Sequence, residues 1–77
     1  MIVHFFDDMP AKTGEAHGPL GPTHCGRVPV DYEYQAEEWV RGIRDLNPTV
    51  VKVELHIGDD ITRRWEFKDN KWEELEV

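Results

Sequence analysis

The chain has 77 residues, 39% apolar and 32% charged, and its 16 acidic against 9 basic residues give a formal net charge of −7. A chain this short buries roughly 60% of the surface its unfolded form exposes, which leaves little room for a large substrate cavity. The negative charge repels nucleic acid and anionic lipid at long range; the single cysteine, Cys25, excludes an intramolecular disulfide. No apolar run approaches the ~20 residues of a membrane span.

Residues 2–6, Ile-Val-His-Phe-Phe, are β-branched and aromatic and predict a short strand ended by Asp7, Asp8 and Pro10. These acidic residues follow at once, so the N-terminus reads as no signal peptide. Residues 7–31 show neither a helical nor a strand period. Of the five prolines and six glycines, Pro10, Pro19, Pro22 and Pro29 fall here, with Gly14, Gly18, Gly21 and Gly26. Proline removes donors and glycine loses the most entropy on ordering, so the expectation is a long irregular loop.

Residues 32–46 predict a helix. Tyr32, Ala36, Trp39, Val40, Ile43 and Leu46 recur at three- and four-residue steps and form one apolar stripe. Asp31 is placed to cap it, Glu37 and Arg41 stand one turn apart as an ion pair, and Asn47-Pro48 ends it. Gly42 inside it is expected to admit the sheet closely. Residues 49–57 alternate, with Val51, Val53, Leu55 and Ile57 on one side and Val50, Lys52, Glu54 and His56 on the other. After a turn at Gly58-Asp59-Asp60, Ile61, Arg63, Trp65 and Phe67 alternate with Thr62, Arg64, Glu66 and Lys68. Asp69-Asn70 is a second tight turn, and residues 71–76 predict a last strand with Trp72 on its polar side, a C-terminal helical turn being the rival reading. The sum is an α+β class: a small antiparallel sheet in the order β-α-β-β-β, one amphipathic helix on one face and a long loop after the first strand, residues 1–77 forming one domain. The exposed edges of so small a sheet are compatible with a monomer or a homodimer.

Three constellations carry chemical meaning. His4, His17, His24 and Cys25 fall within a short span and have the donor types of a zinc site, while His56 stands apart on a strand. Cys25 with His17 or His24 is also the minimum for a Cys–His nucleophile, but no orienting group or oxyanion hole accompanies it. Asp31, Glu33, Glu37 and Glu38 form one acidic cluster, and Asp69, Glu73, Glu74 and Glu76 a second, offset only by Lys71. Carboxylates held at fixed spacing imitate phosphates and steer association with a cationic surface.

Thr23-His24-Cys25-Gly26-Arg27, with His17 upstream, resembles one half of short zinc-binding proteins common in phage genomes; the cysteine-paired second half has no counterpart here. In length and acidity the chain is also similar to small phage-encoded antagonists of bacterial immunity, the anti-CRISPR proteins among them. That likeness implies a non-enzymatic inhibitor in the host cytoplasm. It would engage a defence nuclease or surveillance complex on a basic nucleic-acid-binding surface through Asp31, Glu33, Glu37, Glu38, Glu73, Glu74 and Glu76. No cofactor is expected on this reading. A zinc-binding domain using His4, His17, His24 and Cys25 is the first alternative, and a Cys–His enzyme the second.

Overall fold

In the computed structural model, which describes residues 1–7 and 23–77, the chain runs β1 (Ile2–Asp7), β2 (Thr23–Pro29), α1 (Glu33–Leu46), β3 (Val50–Ile57), β4 (Asp60–Lys68) and β5 (Lys71–Leu75). The strands form one sheet in the order β2-β1-β3-β4-β5, and every neighbour is antiparallel. The expected α+β class therefore holds, with one strand more than the sequence reading assigns. The additional strand is β2, taken from the C-terminal part of the expected loop 7–31; residues 8–22 lie outside the described residues. Composition hides β2 because Gly26 and Pro29 are poor strand formers. Pairing overrides that weakness: Val28 stands opposite Val3 and Gly26 opposite Phe5. Pro29 sits at the end of an edge strand, where a missing donor is tolerated.

The helix packs on one face of this sheet. Ala36, Val40 and Ile43 are buried, as three- and four-residue spacing requires, and meet Val3, Phe5, Val53, Leu55 and Trp65 in one cluster. Trp39 and Trp72 pack at its margin; Trp72 thus lies on the helix side of β5, opposite Phe67, and not on the polar side. The ends of the expected stripe stay in solvent, Tyr32 at 61% and Leu46 at 75% exposure. The capping also differs from expectation. Tyr32, not Asp31, is the extended N-cap residue, and Gln35 Oε1 accepts the N–H groups of Asp31 (2.7 Å) and Tyr32 (3.0 Å). Two donors that would otherwise lack a helical partner are thereby satisfied from within the first turn. At the other end Asn47 stops the helix as predicted, its N–H donating to the Ile43 carbonyl at 2.8 Å.

Three irregularities in the pairing decide which side chains face the helix. Phe6 pairs with Lys52 but Asp7 pairs with Val50, so Val51 is the extra residue and Val50, expected on the outer side, is fully buried. Leu55 pairs with Arg63 and His56 with Ile61, so Thr62 is extra and Ile61 leaves the core side. Thr62 Oγ1 donates to the Leu55 carbonyl at 3.2 Å across that bulge. The third lies between Phe5 and Phe6, where Cys25 is skipped. An extra residue reverses the facing of everything beyond it, which strict alternation cannot anticipate.

Tight turns close the meander as the sequence predicts. Gly58 has φ of 61°, and Asp69 and Asn70 have φ of 55° and 64°, the left-handed pair that two-residue hairpin loops require. Gly42 behaves otherwise: a Cβ built on it meets nothing within 4 Å among the described residues, so it makes no close approach to the sheet. Gly42→Ala should therefore raise stability by about 1 kcal/mol, because alanine restricts the unfolded chain and fills no occupied space. Chemical denaturation of the two proteins measures this; an unchanged or lower midpoint would show that the helix needs glycine there.

Candidate functional site

The acidic residues of α1 and β5 are joined by one cation. Arg63, on the helix face of β4, donates from Nε to Glu74 Oε2 at 3.0 Å and from Nη2 to Glu74 Oε1 at 2.7 Å, and Nη2 also reaches Glu37 Oε1 at 3.2 Å. The guanidinium lies over the Trp65 ring, 4.8 Å from its centroid, on the core side of the sheet. The Glu74 hydrogen bonds hold Arg63 even more firmly protonated than usual, and the same bonds lower the Glu74 pKa. Both carboxylates are about half exposed, and such pairs contribute at most about 1 kcal/mol each. Their consequence is positional. Glu37, expected to pair with Arg41 on the helix, instead points to the sheet, and the acidic helix is joined to Glu74 of the last strand.

Asp31, Glu33, Glu38 and Glu76 are exposed. Tyr32 and Tyr34 stack beside them, ring centroids 5.7 Å apart and 18° from parallel, Tyr34 being 54% exposed. Glu73 separates from its neighbours: it stands opposite Glu66 on the far side of the sheet.

The far side of the sheet has a different character, and among the described residues no element covers it. By register it carries Ile2, His4 and Phe6 from β1, His24 and Arg27 from β2, Lys52, Glu54 and His56 from β3, and Arg64 and Glu66 from β4. Three imidazoles cross it on a diagonal. His4 Nδ1 is 2.9 Å from His24 Nε2, and the His4 and His56 ring centroids are 4.2 Å apart. His56 Nε2 lies 2.9 Å from Glu54 Oε1, and Lys52 Nζ 3.4 Å from Glu54 Oε2. Lys52 also sits 4.4 Å over the Phe6 ring. Glu54, at 6% exposure, is the only buried charged residue among those described, and Arg64 Nε beside it is buried with no hydrogen-bond partner among the described residues.

These contacts move the titrations. Burial lowers the His4 pKa first, and the neighbouring His56, His24 and Arg27 lower it further, against a smaller pull from Glu54. Burial would raise Glu54, but the hydrogen bond from His56 and the Lys52 ammonium outweigh it, so the carboxyl ends below its ordinary value.

The sequence reading grouped His4 and His24 with His17 and Cys25. The structure brings His4 and His24 into contact, and His17 lies outside the described residues. Cys25 is exposed at the bulge, and burial followed by Asp7 pushes its thiol pKa up, whereas a nucleophile needs it lowered. Among the described residues no group of three or more His, Cys, Asp and Glu side chains is placed to hold one ion together. His56 and Glu54 are the site residues that sequence reasoning passed over. Alternation had set them together on the outer side of β3; only the register of β1 against β3 puts His4 beside them.

The two pKa shifts share one sign. His4 and Glu54 bind protons less tightly in the folded protein than in the unfolded chain, so their contribution is complete above their ordinary values. It is lost as the pH falls through the lowered folded values. Thermal midpoints in chelator should hold from about pH 8 to about pH 7, then fall through the histidine range and again below about pH 4.5. His4→Phe should flatten the first fall, and an equal fall in the variant would place its origin elsewhere. No family model, curated protein or solved structure matches the chain, so its functional reading rests on this geometry.

Proposed function

We propose that the chain is a non-enzymatic binding protein that docks its acidic α1–β5 side on a basic, nucleic-acid-binding surface of a protein partner. A host-defence nuclease or surveillance complex is the partner class this reading favours, with the chain acting as its inhibitor in the manner of the anti-CRISPR proteins. The observation that carries it is the Glu37–Arg63–Glu74 bridge. It sets the acidic helix against the acidic last strand and turns two separate runs of the sequence into one surface.

Two further features support the reading. Basic residues are drawn to the opposite face: Arg27, Lys52 and Arg64 lie there by register, as do Lys68 and Lys71. The α1 side keeps Asp31, Glu33, Glu38 and Asp45 exposed with Arg41 as its exposed base. That separation of sign steers a cationic partner to one side of the molecule. The exposed Tyr32–Tyr34 stack supplies rigid aromatic area of the kind that anchors protein contacts at little entropic cost. The contact set is Asp31, Glu33, Glu38 and Glu76 with the outer edges of Glu37 and Glu74. Glu73, on the other face, belongs to it only if the partner wraps the β5 edge.

The test is capture from host lysate on the immobilised protein, with salt washes from about 0.1 M to about 1 M. The retained protein should be a nucleic-acid binder, should elute as salt rises, and should be displaced by added nucleic acid. The double substitution Glu33→Lys/Glu38→Lys, which spares the Arg63 bridge, should weaken capture at least about 10-fold, as the loss of two steering charges predicts. Retention indifferent to salt and to the double substitution would defeat the proposal.

A further inference from the structure

His4 and His24 are brought together by the β-bulge in β2. Phe5 pairs with Gly26, but Phe6 pairs with His24, and Cys25 is passed over. Without that extra residue Cys25 would stand opposite Phe6 on the open face, and His24 would turn to the helix side. With it, His24 becomes the diagonal neighbour of His4, and the two ring nitrogens come to 2.9 Å. Imidazoles meeting nitrogen to nitrogen must share one proton: one ring donates and the other presents its lone pair.

We propose that His4 Nδ1 and His24 Nε2 are a ligand pair for one divalent transition-metal ion, zinc or copper, bound on the open face of the sheet with water completing its shell. Metal–imidazole distances of about 2.0–2.1 Å put adjacent ligands about 2.9 Å apart at a right angle and about 3.3 Å apart at a tetrahedral one. The pair in the protein is already at the first of these spacings. On binding, the donor ring moves its proton to its other nitrogen through solvent. Both rings then remain neutral, and each presents a lone pair to the ion.

Neutral imidazole selects zinc, copper and nickel over calcium and magnesium, which take oxygen ligands. The neighbouring charges are of both signs: Arg27, which pairs with His4, disfavours a cation, and Glu54 favours one. The His56 ring packs against His4 at 4.2 Å, tilted by 45°, and its Nε2 faces Glu54, so the carboxylate holds the His56 proton at that end and supplies negative charge next to the pair. The ion would tie β1 to the edge strand β2 across the bulge. This ligand set differs from the His17 and Cys25 pattern of the sequence motif, and it lies on the opposite face from the acidic docking side, so the two proposals stand or fall separately.

The test uses the whole chain, stripped with chelator, with zinc, nickel and copper chlorides and calcium chloride as probes. One equivalent of zinc should raise the thermal midpoint, copper should bind more tightly than nickel or zinc, and calcium should leave the midpoint unchanged. His24→Ala, at an exposed edge position, should weaken binding at least about 10-fold. Cys25→Ser and His17→Ala should keep it. Ring-proton NMR of the unsubstituted protein should show His4 and His24 shifting together at one equivalent, a readout that does not depend on a variant folding. No midpoint rise with zinc or copper, binding that survives His24→Ala, or binding lost in Cys25→Ser would each overturn the proposal.

Discussion

The pairing of β1 with β3 is the constraint on which the rest of the molecule depends. Val3 stands opposite Leu55 and Phe5 opposite Val53, and Val3, Val53 and Leu55 are fully buried under α1. Each such side chain stabilises the fold by roughly 1.5–3 kcal/mol when taken out of water. The pairing joins the first residues of the chain to its fifties, so the loop it closes is long and its entropic cost is met by burial on the helix side. Because β1 is bonded on both edges, it also gives β2 a template. A segment with glycine and proline at key positions becomes a strand because its neighbour supplies the partners.

The same pairing divides the molecule into two chemically unlike sides. Under the helix lie the core and, at its margin, Arg63 with Glu37 and Glu74; on the open face lie the histidines, Glu54 and most of the basic residues. Arg63 shows how little energy such an arrangement needs. Its contacts are half exposed and weakly stabilising, yet they fix the direction of two carboxylates and so shape the electrostatic surface. Glu54 is the opposite case. It is buried with its charge, which is tolerated because His56 and Lys52 both reach it. Removing either neighbour would leave a carboxylate in a poorly solvated place.

Bulges account for most of the distance between pattern and structure. Strict alternation puts Ile61 toward the core and Val50 away from it; the bulged pairings move each to the other side. The bulge at Cys25 does the same in β2 and brings His24, not Cys25, to His4. A bulge depends on what the partner strand offers at that level, and the partner lies far away in sequence. The information that sets it is therefore not in the local period.

Several properties were legible in the residues themselves: the helix from its apolar stripe, the two-residue turns from Gly58 and Asp69-Asn70, the α+β class, and the acidic bias. Each is a local matter of backbone preference or composition, decided within a few residues. The central place of β1, the strand at 23–29, the meeting of Glu37 with Glu74 on Arg63, and the diagonal of His24, His4 and His56 came only from the tertiary structure. Each of these joins residues that no local rule connects, and long-range burial and register alone determine which of them touch.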